Sequence, residues 1–113
     1  MTRHLALTKS RIVCLCGSTR FMTEMAEANL ELTAAGWIVL APGCNLKRPH
    51  PLWDTEDKIE ALKPRLDALH RAKIDLADEV VIVSDQTRYI GDSTRAEIAY
   101  AEQLGKPVRW WSR

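Results

Sequence analysis

The chain has 113 residues, 46% hydrophobic and 27% charged, the balance of a globular protein with one modest core rather than a disordered chain. Its 16 basic and 15 acidic residues leave a formal net charge of +1, so composition gives no broad attraction to nucleic-acid polymers or membrane surfaces. No apolar run approaches the roughly 20 residues of a membrane span, the first residues lack a signal-peptide pattern, and 3 cysteines do not make a disulfide framework; the expectation is one cytoplasmic domain over residues 1–113.

Residues 1–10 read as a frayed lead-in. Residues 11–16, RIVCLC, are a short apolar run, the pattern of a strand buried on both faces. Residues 17–20, GSTR, form a turn with helix-capping side chains, and a helix follows to Ala35. Phe21, Met25, Ala28, Leu32 and Ala35 recur at spacings of three and four and mark one face of it. Gly36 suits the position just past its end. Residues 37–41, WIVLA, are the second strand, closed by Pro42 and Gly43.

Residues 43–63 read as a long polar loop with a short helical turn around 56–62. Loops of such length are often functional, and Asn45, Lys47, His50 and Trp53 within it are candidates for stacking on or hydrogen bonding to a ligand. Pro64 fits the first turn of a helix over 64–77, whose stripe is Leu62, Leu66, Leu69, Lys73 and Leu76. The third strand is 79–84, EVVIVS, followed by a polar loop over 85–91. A last helix begins near Asp92 and Ser93 and ends at Gly105, and a fourth strand, 108–111, carries the paired Trp110 and Trp111. Those two tryptophans either form an apolar surface covered by a second subunit or divide between core and surface.

Strands alternating with helices of this length predict an α/β domain: a flavodoxin- or Rossmann-like open parallel sheet of four to five strands, helices on both faces. In such sheets ligands bind beyond the carboxyl ends of the strands, so the chemistry is sought in the segments that follow strands one and three.

After the first strand, Gly17, Ser18, Thr19 and Arg20 open a helix, where unpaired amides and a positive dipole end can seat a phosphate or carboxylate. The plain reading is an ordinary helix cap with Arg20 on the surface. Neither a Walker loop nor a dinucleotide fingerprint is present, nor the G-x-S-x-G elbow of a serine hydrolase. After the third strand stands Glu97. Thr94-Arg95-Ala96-Glu97 fits a capping box; the competing reading is a carboxylate nucleophile at the strand ends. Asp67, His70, Lys73 and Asp75 lie on the preceding helix, with His70 and Lys73 sharing a face. Asp75 and Asp78 near its end oppose the helix dipole and call for other partners. Cys14 and Cys16 face one side of a strand, but a metal site built from them with Cys44 and His50 is rejected, because C-x-C within a buried strand is not a zinc knuckle.

Three segments together resemble the nucleoside 2-deoxyribosyltransferase-like superfamily, which includes nucleotide N-glycosidases: CGSTRF at 16–21, ADEVVIV at 77–83 and DSTRAEIAYAEQLGKPV at 92–108. The resemblance implies a flavodoxin-like fold, no cofactor, a nucleoside or nucleoside 5′-monophosphate as the small-molecule partner, and a homodimer or higher homo-oligomer. It implies that Glu97 is the nucleophile, attacking the anomeric carbon to give a glycosyl-enzyme. Gly17, Ser18, Thr19 and Arg20 would hold the phosphate, with Asp92 and Ser93 near the sugar. The family places a second carboxylate before its central strand; this chain has His70 in that register, an imidazole able to handle protons near neutrality. The expected activity is therefore cleavage of the base–sugar bond, with a non-catalytic nucleotide-binding module as the alternative.

Overall fold

A computed structural model describes residues 11–111; the lead-in over residues 1–10 lies outside the described residues. Four parallel strands, β1 (Ile12–Cys16), β2 (Ile38–Leu40), β3 (Glu79–Val83) and β4 (Val108–Trp111), form a sheet in the order β2-β1-β3-β4. The register sets Cys14 beside Val80 and Cys16 beside Ile82. β1 and β3 are the central strands and are buried almost throughout, which is why both read as apolar runs without alternation.

The two faces of those strands feed two clusters. Val13, Leu15, Val81 and Val83 pack against Met25 and Ala28 of α1 (Met22–Ala34). On the other face, Cys14, Cys16 and Val80 meet Ile74 and Ala77, at the end of α2 (Glu56–Leu76), and Ala101 of α3 (Asp92–Gln103). One helix therefore covers one face and two helices the other. Trp111 packs against the first cluster and donates from its indole nitrogen to Glu31 at 3.0 Å, whereas Trp110 is on the surface beneath the Arg88 guanidinium. Within the single chain, Trp111 is therefore partly buried against the core cluster and Trp110 is exposed, neighbours on opposite faces of the strand.

Three expectations need correction. The apolar stripe expected on the helix before the third strand is displaced: Leu69 and Leu76 are exposed, and His70 and Ile74 are the buried positions. The stretch read as a loop with a helix from Pro64 is largely one helix of 21 residues with Pro64 inside it. Thr55 caps that helix by accepting from the Lys58 amide at 3.2 Å, and Glu56 and Asp57 favour its positive end. These start signals outweigh the break, and exposed Pro64 interrupts the ladder rather than opening it. The capping box is also absent. The N-cap of α3 is Gly91, Thr94 is a buried residue of the first turn, and Glu97 is one turn further in, out of reach of the helix start.

The unfavourable acids find partners. The Asp78 carboxylate accepts from the Ile12 amide at 2.7 Å, and Asp75 accepts from the Tyr100 hydroxyl at 2.6 Å. The Lys106 ammonium donates to the carbonyls of Ile74, Asp75 and Ala77 at 2.6–2.9 Å. One cation therefore satisfies the orphan carbonyls that end α2 and offsets the acids there.

Candidate functional site

A cleft of about 430 Å³ opens at the carboxyl ends of β1 and β3. Gly17, Ser18 and Thr19 form one wall, Ser93, Thr94 and Glu97 of α3 a second, and Lys63, Asp67, His70 and Lys73 of α2 a third. The loop after β2 closes it with Pro42, Gly43, Cys44, Leu46 and Lys47. A smaller adjoining cleft includes Asp67, Arg71, Asp92, Ser93 and Glu97.

Gly17 is set by sterics. A Cβ there would stand 2.5 Å from the Val83 carbonyl oxygen and 3.0 Å from the Met25 methyl, so only glycine lets β1 leave the sheet beside β3. Ser18 then caps the 3₁₀ turn Thr19–Phe21, accepting from the Arg20 amide at 3.2 Å. The turn that lines the cleft after β1 is thereby fixed at the strand end.

His70 and Glu97 meet at the floor. His70 Nε2 is 3.5 Å from Glu97 Oε1, 3.2 Å from Cys16 Sγ and 3.8 Å from Cys14 Sγ. Both cysteines are fully buried, and the His70 side chain is 9% exposed against 18% for Glu97. Burial opposes a charge on His70, but the Cys14 hydrogen bond and the Glu97 charge outweigh it and raise its pKa. Burial raises the pKa of Glu97, against the lowering effects of the His70 charge and the Cys16 hydrogen bond; Cys14 and Asp67 add to the rise. Within the thiol pair, the hydrogen bond between them lowers Cys14 and raises Cys16, so the two hold their protons unequally.

Of the residues expected from the sequence, the cleft collects Gly17, Ser18, Thr19, His70, Ser93 and Glu97. Asp92 lines the adjoining cleft. Arg20 lies outside both linings, with its guanidinium 4.0 Å from the centre of the Tyr89 ring. In the long loop Lys47 lines the cleft. His50 and Trp53 instead stack on each other at 4.7 Å, while the Trp53 indole donates to the Arg48 carbonyl and the His50 ring accepts from the Leu52 amide. Asn45 is used locally, accepting from the Lys47 amide.

Lys63 carried no signal in the sequence, whereas Asp67, grouped there with His70 and about one helical turn from the register of the family's second carboxylate, lines the cleft beside it. Both lie within the extended α2, and the misplaced helix start hid Lys63. The thiols' actual neighbour is His70, which α2 brings over β1, in place of Cys44 and His50. Glu79, buried at the amino end of β3, pairs with Arg109 and Arg11 and belongs to the opposite edge of the sheet.

No protein-family model and no curated protein matches the sequence significantly. Solved structures do match. The 2-deoxyribosyltransferase of Bacillus psychrosaccharolyticus is 19% identical and superposes with a TM-score of 0.67 over 89% of this chain and 72% of that one. The 2-desoxiribosyltransferase of Leishmania mexicana is 17% identical, with a TM-score of 0.56 over 90% of this chain and 64% of that one. With β1 and β3 central and the helices disposed as described, the chain has the nucleoside 2-deoxyribosyltransferase-like fold.

Proposed function

We propose that the chain is an enzyme that cleaves the N-glycosidic bond of a nucleoside or nucleoside 5′-monophosphate through Glu97, passing the sugar to water or to a second base. The observation that carries this reading is the Glu97 carboxylate at the cleft floor, drawn off the helix start and held 3.5 Å from His70 Nε2. A carboxylate released from capping and partly desolvated is suited to nucleophilic attack. The similarity to 2-deoxyribosyltransferases supports the reaction class.

In this reading Glu97 attacks C1′ with its electron pair, the C1′–N bond breaks, and the base leaves with a proton. The glycosyl ester is then opened by water or an incoming base, so the anomeric configuration is retained. Ester formation removes the negative charge beside His70, which lowers the imidazolium pKa when the leaving base needs its proton. Asp67, on the same wall as His70 and close enough for its charge to raise the Glu97 pKa, is a carboxylate placed to assist the incoming nucleophile. Lys47 and Lys63, with the amides at Gly17–Thr19, supply positive potential for a 5′-phosphate. That favours a monophosphate, and hydrolysis, over transfer.

The test is incubation with nucleosides and 5′-monophosphates, following free base by chromatography for the natural chain and for Glu97→Gln. Base release by the natural chain that falls by orders of magnitude in the variant supports the reading; equal release by both defeats it. Nucleotide-dependent stabilisation with no base released points instead to a non-catalytic nucleotide-binding module.

A further inference from the structure

The environment of His70 Nε2 is over-subscribed. Cys14 Sγ, Cys16 Sγ and Glu97 Oε1 all stand within 3.8 Å of that one atom. One ring nitrogen offers one proton or one lone pair and can serve one of the three well. The three residues Cys14, Cys16 and His70 are all buried, and their donor atoms lie within 4.8 Å of one another.

The spacing suits a tetrahedral cation. Bonds of about 2.3 Å to sulfur and about 2.0–2.1 Å to nitrogen or oxygen place tetrahedral S···N pairs about 3.5 Å apart and N···O pairs about 3.4 Å apart. The observed S···N separations are 3.2 and 3.8 Å, and the N···O separation is 3.5 Å. Charge also balances. Two thiolates and one carboxylate carry three negative charges, a divalent cation carries two positive ones, and Lys73, whose charge acts on both Cys14 and His70, supplies the third. Its ammonium is held aside by the Ala41 carbonyl at 2.7 Å and does not occupy the centre.

We propose that Cys14, Cys16 and His70 form a binding site for a thiophilic divalent cation of the zinc class, that the Glu97 carboxylate, 3.5 Å from His70 Nε2 but outside the cluster of the other three donors, swings in as the fourth ligand on binding, and that occupancy silences glycosyl cleavage by engaging Glu97. Two sulfurs and an imidazole select zinc-like over magnesium- or calcium-like ions. Entry is from the cleft, where His70 and Glu97 are lining residues. Binding displaces the remaining thiol protons and the imidazole proton into solvent, with no change of oxidation state. The three-donor site stands on geometry, whereas its inhibitory effect rests on Glu97 being the nucleophile of the proposed reaction and closing onto the ion.

The test is titration of the chelator-stripped full chain with Co²⁺, a spectroscopic substitute for Zn²⁺. The expected result is thiolate-to-cobalt absorption in the near ultraviolet and tetrahedral d–d bands in the visible, saturating at one ion per chain and abolished by one equivalent of Zn²⁺. The sulfur band falls to about half in Cys14→Ser or Cys16→Ser and is unchanged in Cys44→Ser. Glu97→Gln keeps the sulfur band and alters the d–d bands. If the serine variants do not fold, the natural chain decides: saturating Zn²⁺ should raise its melting temperature by more than about 5 °C. No sulfur band in the folded natural chain, or a band that depends on Cys44, overturns the site. A sulfur band with undiminished base release overturns the role of Glu97 as ligand. Metal bands in a chain that never releases base leave the site standing and defeat the catalytic reading.

Discussion

His70 on α2 and Glu97 on α3 are joined across the carboxyl end of β1 by a 3.5 Å contact, and this contact relates charge on one helix to charge on the other. Both helices pack on the face of the sheet that carries Cys14 and Cys16. Any change to one member of the pair is therefore felt by the other.

Glu97→Gln removes the proposed nucleophile and keeps the shape. Base release should fall by about 1,000-fold or more, equivalent to about 4 kcal/mol of barrier. Folding should survive, with a melting temperature within about 3 °C of the natural chain, because a neutral amide is cheaper to desolvate than the carboxylate it replaces. Base release together with thermal melting reads both.

His70→Gln tests the pair through pH. Burial raises the Glu97 pKa, and the His70 charge works against that rise. Removing the charge raises the Glu97 pKa further, so the ionised Glu97 carboxylate persists only at higher pH. In metal-free enzyme the acid limb of kcat/KM should move to higher pH; a limb moving to lower pH contradicts the assignment.

Lys63→Met probes the proposed phosphate seat. Lys63 lines the cleft, and its loss should raise KM for a nucleoside 5′-monophosphate by about 5–100-fold while leaving that for the corresponding nucleoside nearly unchanged. Equal effects on both substrates would place the phosphate elsewhere.

Gly17→Ala tests the close approach of strand ends. The added Cβ meets the Val83 carbonyl at 2.5 Å, a backbone atom that cannot swing aside. The expected cost is about 1–3 kcal/mol, seen as a melting-temperature drop of at least about 4 °C. No loss of stability would mean that β1 and β3 separate freely there.

Lys106→Met leaves the carbonyls of Ile74, Asp75 and Ala77 without their shared cation. Stability should fall by about 1.5–3 kcal/mol, the value of hydrogen bonds to a charged group. Denaturant unfolding measures it. Because Lys106 does not line the cleft, the kcat of the folded fraction should be unchanged.

The sequence by itself determined the architecture. The apolar runs around Ile12–Cys16 and Glu79–Val83 specify central strands, the spacing of Met25 and Ala28 specifies the face of α1, and strand–helix alternation specifies a parallel sheet; these signals are local and periodic. It also singled out Glu97 and the Gly17–Thr19 turn, since residues following central strands meet at one edge of such a sheet. Tertiary structure decided the rest. Pro64 lies inside a helix because Thr55 and two acids start it earlier, an outcome set by the sum over 21 residues rather than by the strongest local signal. Glu97 is no cap, because α3 begins at Asp92 with Gly91 as its N-cap and the carboxylate turns to a neighbour on another helix. The convergence of Cys14, Cys16, His70 and Glu97 joins residues up to 83 positions apart in the chain, and no window of sequence contains a distance: only the packing of α2 and α3 over β1 brings the four together.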